Sequence, residues 1–190
     1  MVVAQVILIY ANSLDGPFLF DDENNIKDNV HLRITSLSPA EVLTAGLSSR
    51  DPRRAVAYSS FALNYYFHQY DTFGYRLVNV LIHSITGILI YYLVKTTLGL
   101  AALRERYTKQ REIAFFVALI WLVHPLGTQS VAYIVQRMNS MAALFYVLSM
   151  LLYVQARLAL SWRKWALFAG CTLSGVLAIG SKQNAATLPV

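Results

Sequence analysis

The stretch LVNVLIHSITGILIYYLV, Leu77 to Val94, runs for 18 residues without a formal charge. Coiled into a helix at about 1.5 Å per residue, it reaches about 27 Å, close to the hydrocarbon thickness of a bilayer. Downstream lie three more charge-free runs of spanning length: Ile113 to Gln136 (24 residues), Met138 to Ala156 (19) and Trp165 to Ser181 (17). Upstream, Met1 to Leu14 is apolar but short, and no Lys or Arg precedes it as a secretory signal requires. It reads as a first transmembrane helix missing its upstream end. The sequence thus predicts an all-α membrane protein, a multi-pass transmembrane helical bundle of about five spans near 1–14, 77–94, 113–125, 138–156 and 165–181. A long outer loop, 15–76, would carry short amphipathic helices on the membrane surface. One is marked by Ser38-Pro39 and the apolar positions of Ala40 to Leu47, and the aromatic-rich stretch Tyr58 to Tyr70 marks another.

Over all 190 residues, 56% are hydrophobic, 14% are charged and the mean hydropathy is +0.46. These values exclude a disordered chain, which lacks apolar surface. A lone cysteine, Cys171, excludes a disulfide scaffold. The 16 Lys and Arg against 10 Asp and Glu leave a charge of +6. Those charges are scattered between apolar runs and line no single face, so nucleic acid is not an expected partner. Lys95 to Glu112 holds five bases and Arg157 to Lys164 three. The enrichment of bases in short cytoplasmic loops places both segments on the cytoplasmic side. The other side then receives 15–76, the turn from His124 to Arg137, and Ser181 to Asn184, so every polar cluster shares one face. All ten acids lie at or before Glu112, which confines carboxylate chemistry to the first part of the chain.

Asp21-Asp22-Glu23 follows the apolar entry Gly16-Pro17-Phe18-Leu19-Phe20. Adjacent carboxylates raise at least one pKa, as a general base or a cation site requires, whereas a helix N-terminus or a solvated loop is the blander reading. In the second span Asn79, His83 and Thr86 recur at i, i+4 and i+7, one turn after Arg76. That face should look into the bundle, either to bond helices together or to line a cavity for a headgroup or substrate. His124-Pro125 should end or kink the third run. The polar set that follows, through Arg137 and Asn139, is either a loop re-entering at headgroup depth, with Arg137 on a phosphate, or an interfacial turn with an anchoring arginine. Lys182 offers a second cation at that level, or a snorkelling anchor. No phosphate-binding glycine loop and no Ser-His-Asp signature occurs. No His or Cys stands at ligand spacing either, although Asp and Glu alone suffice for Mg or Mn.

Four blocks in order carry a resemblance: FDDENNIKDN (20–29), SFALNYYFHQYDTFGYRLVNVLIH (60–83), WLVHPLGTQSVAYIVQRMNSMAALFYVLSMLLY (121–153) and SKQNAATLP (181–189). Together, over nearly all of the chain, they resemble the amino-terminal membrane half of the transmembrane and tetratricopeptide-repeat O-mannosyltransferase-like family, within the GT-C glycosyltransferases. The resemblance implies one membrane domain over 1–190 that continues past the last residue. It also implies an inverting transfer of a mannose-like sugar from a polyprenyl or dolichyl phosphate to a protein Ser or Thr hydroxyl on the outer or lumenal face. The implied partners are the lipid-linked sugar donor, an acceptor protein and membrane lipids, in a bacterial inner membrane or the endoplasmic reticulum membrane. No cofactor is required. A divalent metal is not expected, because two cations can neutralise a monophosphate leaving group.

Carried over residue by residue, the base falls on Asp21 or Asp22, and the lipid phosphate on Arg137 and Lys182, with Arg54 a third cation. His83 and His124 would line the substrate site. Gln129 and Gln183 stand where the family carries glutamate, and Ala55 follows Arg54 where it carries proline. The two missing acids keep a rival in view, a noncatalytic lipid-carrier-binding or scaffold module of the same fold. A transporter comes next. It would need polar stripes on several helices, and only the second span shows one.

Overall fold

Ser38, Pro39 and Glu41 begin the first long helix by supplying what a helix start lacks. In the computed structural model, which describes residues 9–188, α1 runs over Pro39–Ser48. The Ser38 hydroxyl accepts the Glu41 N–H at 3.2 Å, and the Glu41 carboxylate reaches back to the N–H groups of Thr35 (2.7 Å) and Ser36 (3.2 Å). A turn of 3-10 helix, Pro52–Arg54, capped by the Asp51 side chain, leads into α2, Ala55–His68. Asp71 caps α3, Thr72–Leu98, by accepting the Phe73 N–H at 3.1 Å. Then come α4 (Gln110–Val123), the short α5 (Thr128–Ala132), α6 (Arg137–Leu158) and α7 (Ser161–Ser181).

The spans are longer than the charge-free runs predict. Helix α3 takes in Arg76 and Lys95, because a charge ends an apolar run without ending a helix. Arg76 bonds to carbonyls inside the protein, while the Lys95 ammonium snorkels to 5.9 Å from the rings of Tyr91 and Tyr92. Helices α3, α6 and α7 are each long and apolar enough to cross a membrane. Helix α4 passes that test only together with the segment Pro125–Ala132, to which it joins at a bend of 53°. Proline removes the ladder N–H there, and the His124 ring accepts the Leu126 N–H at 3.2 Å in its place. Up to four of the five expected spans are therefore seen among the described residues. Most of the expected first span, 1–14, lies outside them, and its end unwinds from helix at Ile9 and Tyr10 into a 3-10 turn, Ala11–Ser13.

Helices α6 and α7 form a hairpin joined through Ala159 and Leu160, and α3 packs against both α4 and α6. Gly87 sets the approach of α3 to α4: an added Cβ would lie 2.5 Å from the Leu122 side chain. Helix α2 is more deeply set than a surface helix, because Ala57, Tyr58, Phe61 and Ala62 join the main core with Tyr75, Ile134 and Met138. Loop, α1, α2 and the helix break all gather at one end. Single cysteines at the exposed Ser48 and Thr108, in a Cys171→Ser background, should react with an impermeant reagent from opposite sides of the membrane. Reaction of both from one side would refute this topology.

Candidate functional site

The paired aspartates have parted company. Asp22 is fully buried, and its carboxylate accepts the Leu19 N–H at 3.1 Å and the Val135 N–H at 2.7 Å. Burial pushes its carboxyl up, against those two bonds and the charge of Arg76. It thereby pins the loop to the turn before α6. Asp21 is exposed, and its backbone is held on both sides: its N–H donates to the Tyr133 hydroxyl at 2.9 Å, and its carbonyl accepts the Asn25 amide at 2.8 Å. Phe20, at φ +46° and 84% exposed, turns the chain just before them. One carboxylate is spent as an anchor while its neighbour is presented to solvent.

A basic cluster joins the entry to α2 with the end of α7. Asp51 accepts from Arg53 Nε at 2.9 Å and forms an ion pair with Arg54, whose Nε lies 3.2 Å away. Gln183 bridges the two signs, with Oε1 accepting from Arg54 Nε at 3.2 Å and Nε2 donating to Asp51 at 3.0 Å. A guanidinium only donates and an ionised carboxylate only accepts, so an amide can join them, whereas a glutamate here would set a second negative charge against Asp51. The Arg53 guanidinium, with help from Gln183, holds the Asp51 carboxyl down to about 2. Lys182 is pushed down by burial and by the charge of Arg54. Two arginines thus share one carboxylate and Lys182 adds a third cation within reach of the Arg54 charge, an excess of positive charge suited to an anion.

Arg76 and Arg137 are buried instead. Arg76 donates to the carbonyls of Ala132 (3.0 Å), Leu14 (3.3 Å), Pro17 (2.6 Å) and Gly16, tying the loop that bears Asp21 to α3 and α5. Arg137 has no exposed surface. It donates to Asn79 Oδ1 (2.8 Å), the Tyr75 carbonyl (2.7 Å) and the Ser60 carbonyl (3.3 Å), with its guanidinium 4.7 Å from the Phe61 ring centre and 5.6 Å from that of Tyr75. Its position is that of a strut between α2, α3 and α6.

A cavity of about 630 Å³ opens between α3, α4, α6 and the turn after α7. Asn139, Asn184, Ser130 and His124 edge it near the helix break, and Ile90, Tyr146 and Val147 wall it further along α3 and α6. The Asn184 amide donates to Asn139 Oδ1 at 3.3 Å across its rim. His83 lies inside, stacked on Trp121 with ring centres 4.5 Å apart. Of the residues expected at the site, the cavity brings together His83 and His124, the basic cluster unites Arg54 and Lys182, and Asp21 stands on its own loop at the same end. Asp51, Tyr133, Trp121 and Asn184 had no site role assigned in the sequence. Tyr133 and Asn184 lay within polar clusters noted there, and Asp51 had a signal of its own, since Asp-Pro-Arg-Arg is a capped turn start. Among the described residues no group of three His, Cys, Asp or Glu side chains converges on a point where a metal ion could sit.

Residues 41–190 match the family described as dolichyl-phosphate-mannose-protein mannosyltransferase. A protein O-mannosyl-transferase of Caenorhabditis elegans is 27% identical over 164 residues, covering 83% of this chain and 23% of that protein. Protein O-mannosyl-transferase TMTC4 of Homo sapiens is 30% identical over 168 residues (82% and 23%), and TMTC2 of Mus musculus is 29% identical over 197 (97% and 22%). The chain spans under a quarter of the length of these relatives. No solved structure matches it.

Proposed function

The chain belongs to the dolichyl-phosphate-mannose-protein mannosyltransferase family, and from that premise we propose that it forms the donor-binding and catalytic end of a membrane glycosyltransferase. The donor is a mannose-like sugar on a polyprenyl phosphate, and the acceptor is a protein Ser or Thr hydroxyl on the outer or lumenal face. The observation that carries this reading is the cavity, polar at the helix break and apolar along α3 and α6, which matches a carrier with a polar head and an isoprenoid tail. Arg54 and Lys182 take the phosphate in this scheme, because the guanidinium of Arg137 is committed to protein carbonyls. Asp21 accepts the proton of the acceptor hydroxyl as its oxygen attacks the anomeric carbon from the face opposite the phosphate. The carrier phosphate leaves with the bonding electrons, and the sugar is inverted.

The test is donor binding by the complete protein in nanodiscs. Ala143→Trp, which fills the cavity, should lose at least about tenfold in affinity for a mannosyl polyprenyl phosphate. Arg54→Ala and Lys182→Ala should each lose about ten- to a hundredfold, as expected for one charge-assisted contact. Unchanged affinity in all three moves the donor elsewhere. Gln183 favours a second reading, a carrier-binding module without transfer, because an amide occupies a position where the resemblance expects a carboxylate. Donor binding with no turnover would select it.

A further inference from the structure

His83 is held more firmly than packing alone requires. Its Nε2 donates to the Leu122 carbonyl at 3.0 Å, Trp121 stacks on one face, and Tyr10 meets it edge-on with ring centres 5.7 Å apart. Gly127 leaves the ring its space, since a Cβ there would lie 3.3 Å from Cε1. A carbonyl only accepts, so Nε2 carries the hydrogen and the neutral ring keeps its lone pair on Nδ1. That nitrogen has no partner among the described residues. His83 lines the cavity, and Nδ1 is the ring nitrogen that its bond to Leu122 leaves available there.

The cavity's chemistry identifies what Nδ1 meets. Among the described residues that line it there is no Asp, Glu, Lys or Arg, and their polar groups are amides, hydroxyls and imidazoles beside an indole. A wall of this kind suits the uncharged sugar, and the counter-charge for the phosphate comes from Arg54 and Lys182, the latter two positions before the rim residue Asn184. We propose that His83 Nδ1 accepts a hydrogen bond from a hydroxyl of the sugar, making His83 a residue that distinguishes the glycosylated carrier from the bare one. The inference rests on the reading of the cavity as the donor site and extends it to a single atom. Ring flipping would break the bond to Leu122, so the acceptor is fixed in place before the ligand arrives.

Two probes separate this role from a structural one: polyprenyl phosphate and polyprenyl phosphate mannose, each bound to the complete protein in nanodiscs. His83→Phe keeps the stacking ring and removes both nitrogens, and His83→Gln keeps a donor for Leu122. Both variants should bind the mannosyl carrier about five- to tenfold more weakly than wild type, with affinity for the bare carrier unchanged. Among mannosyl carriers lacking one hydroxyl each, one should cost the wild type the same factor and cost the variants nothing further. Equal losses for both carriers would make His83 a packing residue and overturn the inference while leaving the donor site standing. Failure of the wild type to bind either carrier would overturn the donor site itself, and the inference with it.

Discussion

Asp21→Asn is expected to slow sugar transfer by at least about 100-fold in the full-length protein, with donor affinity and thermal stability near wild type. General-base catalysis typically contributes about 100- to 10,000-fold, and the amide keeps the shape while losing the proton acceptor. Fold should survive because the loop is held by the Asp21 main chain, through Tyr133 and Asn25, and not by its carboxylate. Asp22→Asn should behave oppositely. An amide offers one acceptor oxygen where the carboxylate offers two, so either the Leu19 or the Val135 N–H would face an NH2 group in a fully buried site. A buried donor left unpaired costs about 1–3 kcal/mol, so this variant loses stability first and rate only as the loop shifts. Kinetics alone could confuse the two. Measuring turnover together with melting temperature separates them, and near wild-type turnover in Asp21→Asn would place the base outside this loop.

That division of labour was invisible in the sequence, where Asp21 and Asp22 are adjacent acids with equal claims. What separates them is a turn 113 residues away, which supplies the Val135 N–H. The spans were legible because lipid imposes its demand on composition itself: an apolar run of bilayer length reads the same whatever packs against it. The kink at Pro125 was legible for a similar reason, since the missing N–H is a property of one residue. The face shared by Arg76, Asn79, His83 and Thr86 was also correctly placed, all four being buried. Periodicity could say that these side chains look inward. It could not say that Asn79 and Arg76 would serve as ties and His83 as a cavity wall. Gln183 shows the limit most plainly. As a departure from a family pattern it suggested lost chemistry, whereas in the fold it bonds Asp51, 132 positions earlier, and Arg54, 129 earlier.

Arg137 extends that limit to a second large effect. Its charge, its place after a helix break and the family resemblance all pointed to a phosphate, but three partners brought from Ser60, Tyr75 and Asn79 claim its guanidinium. Arg137→Met keeps much of the side-chain volume and removes the donors. It leaves the Ser60 and Tyr75 carbonyls and Asn79 Oδ1 without them. Hydrogen bonds from charged donors are worth about 1.5–3 kcal/mol each, and orphaned buried acceptors cost about 1–3 kcal/mol. The loss should therefore reach about 3 kcal/mol or more, a factor of at least about a hundred in the folded-to-unfolded ratio. Arg137→Lys should recover little of it, because a compact ammonium cannot span three acceptors arranged around a planar fork, nor lie flat between Phe61 and Tyr75. Scanning both variants for melting temperature, and titrating the surviving folded fraction with mannosyl polyprenyl phosphate, decides between strut and ligand. A strut gives a low melting temperature with donor affinity per folded molecule retained. Normal melting with lost donor affinity would return the phosphate to Arg137 and require the guanidinium to leave its pocket when the carrier binds.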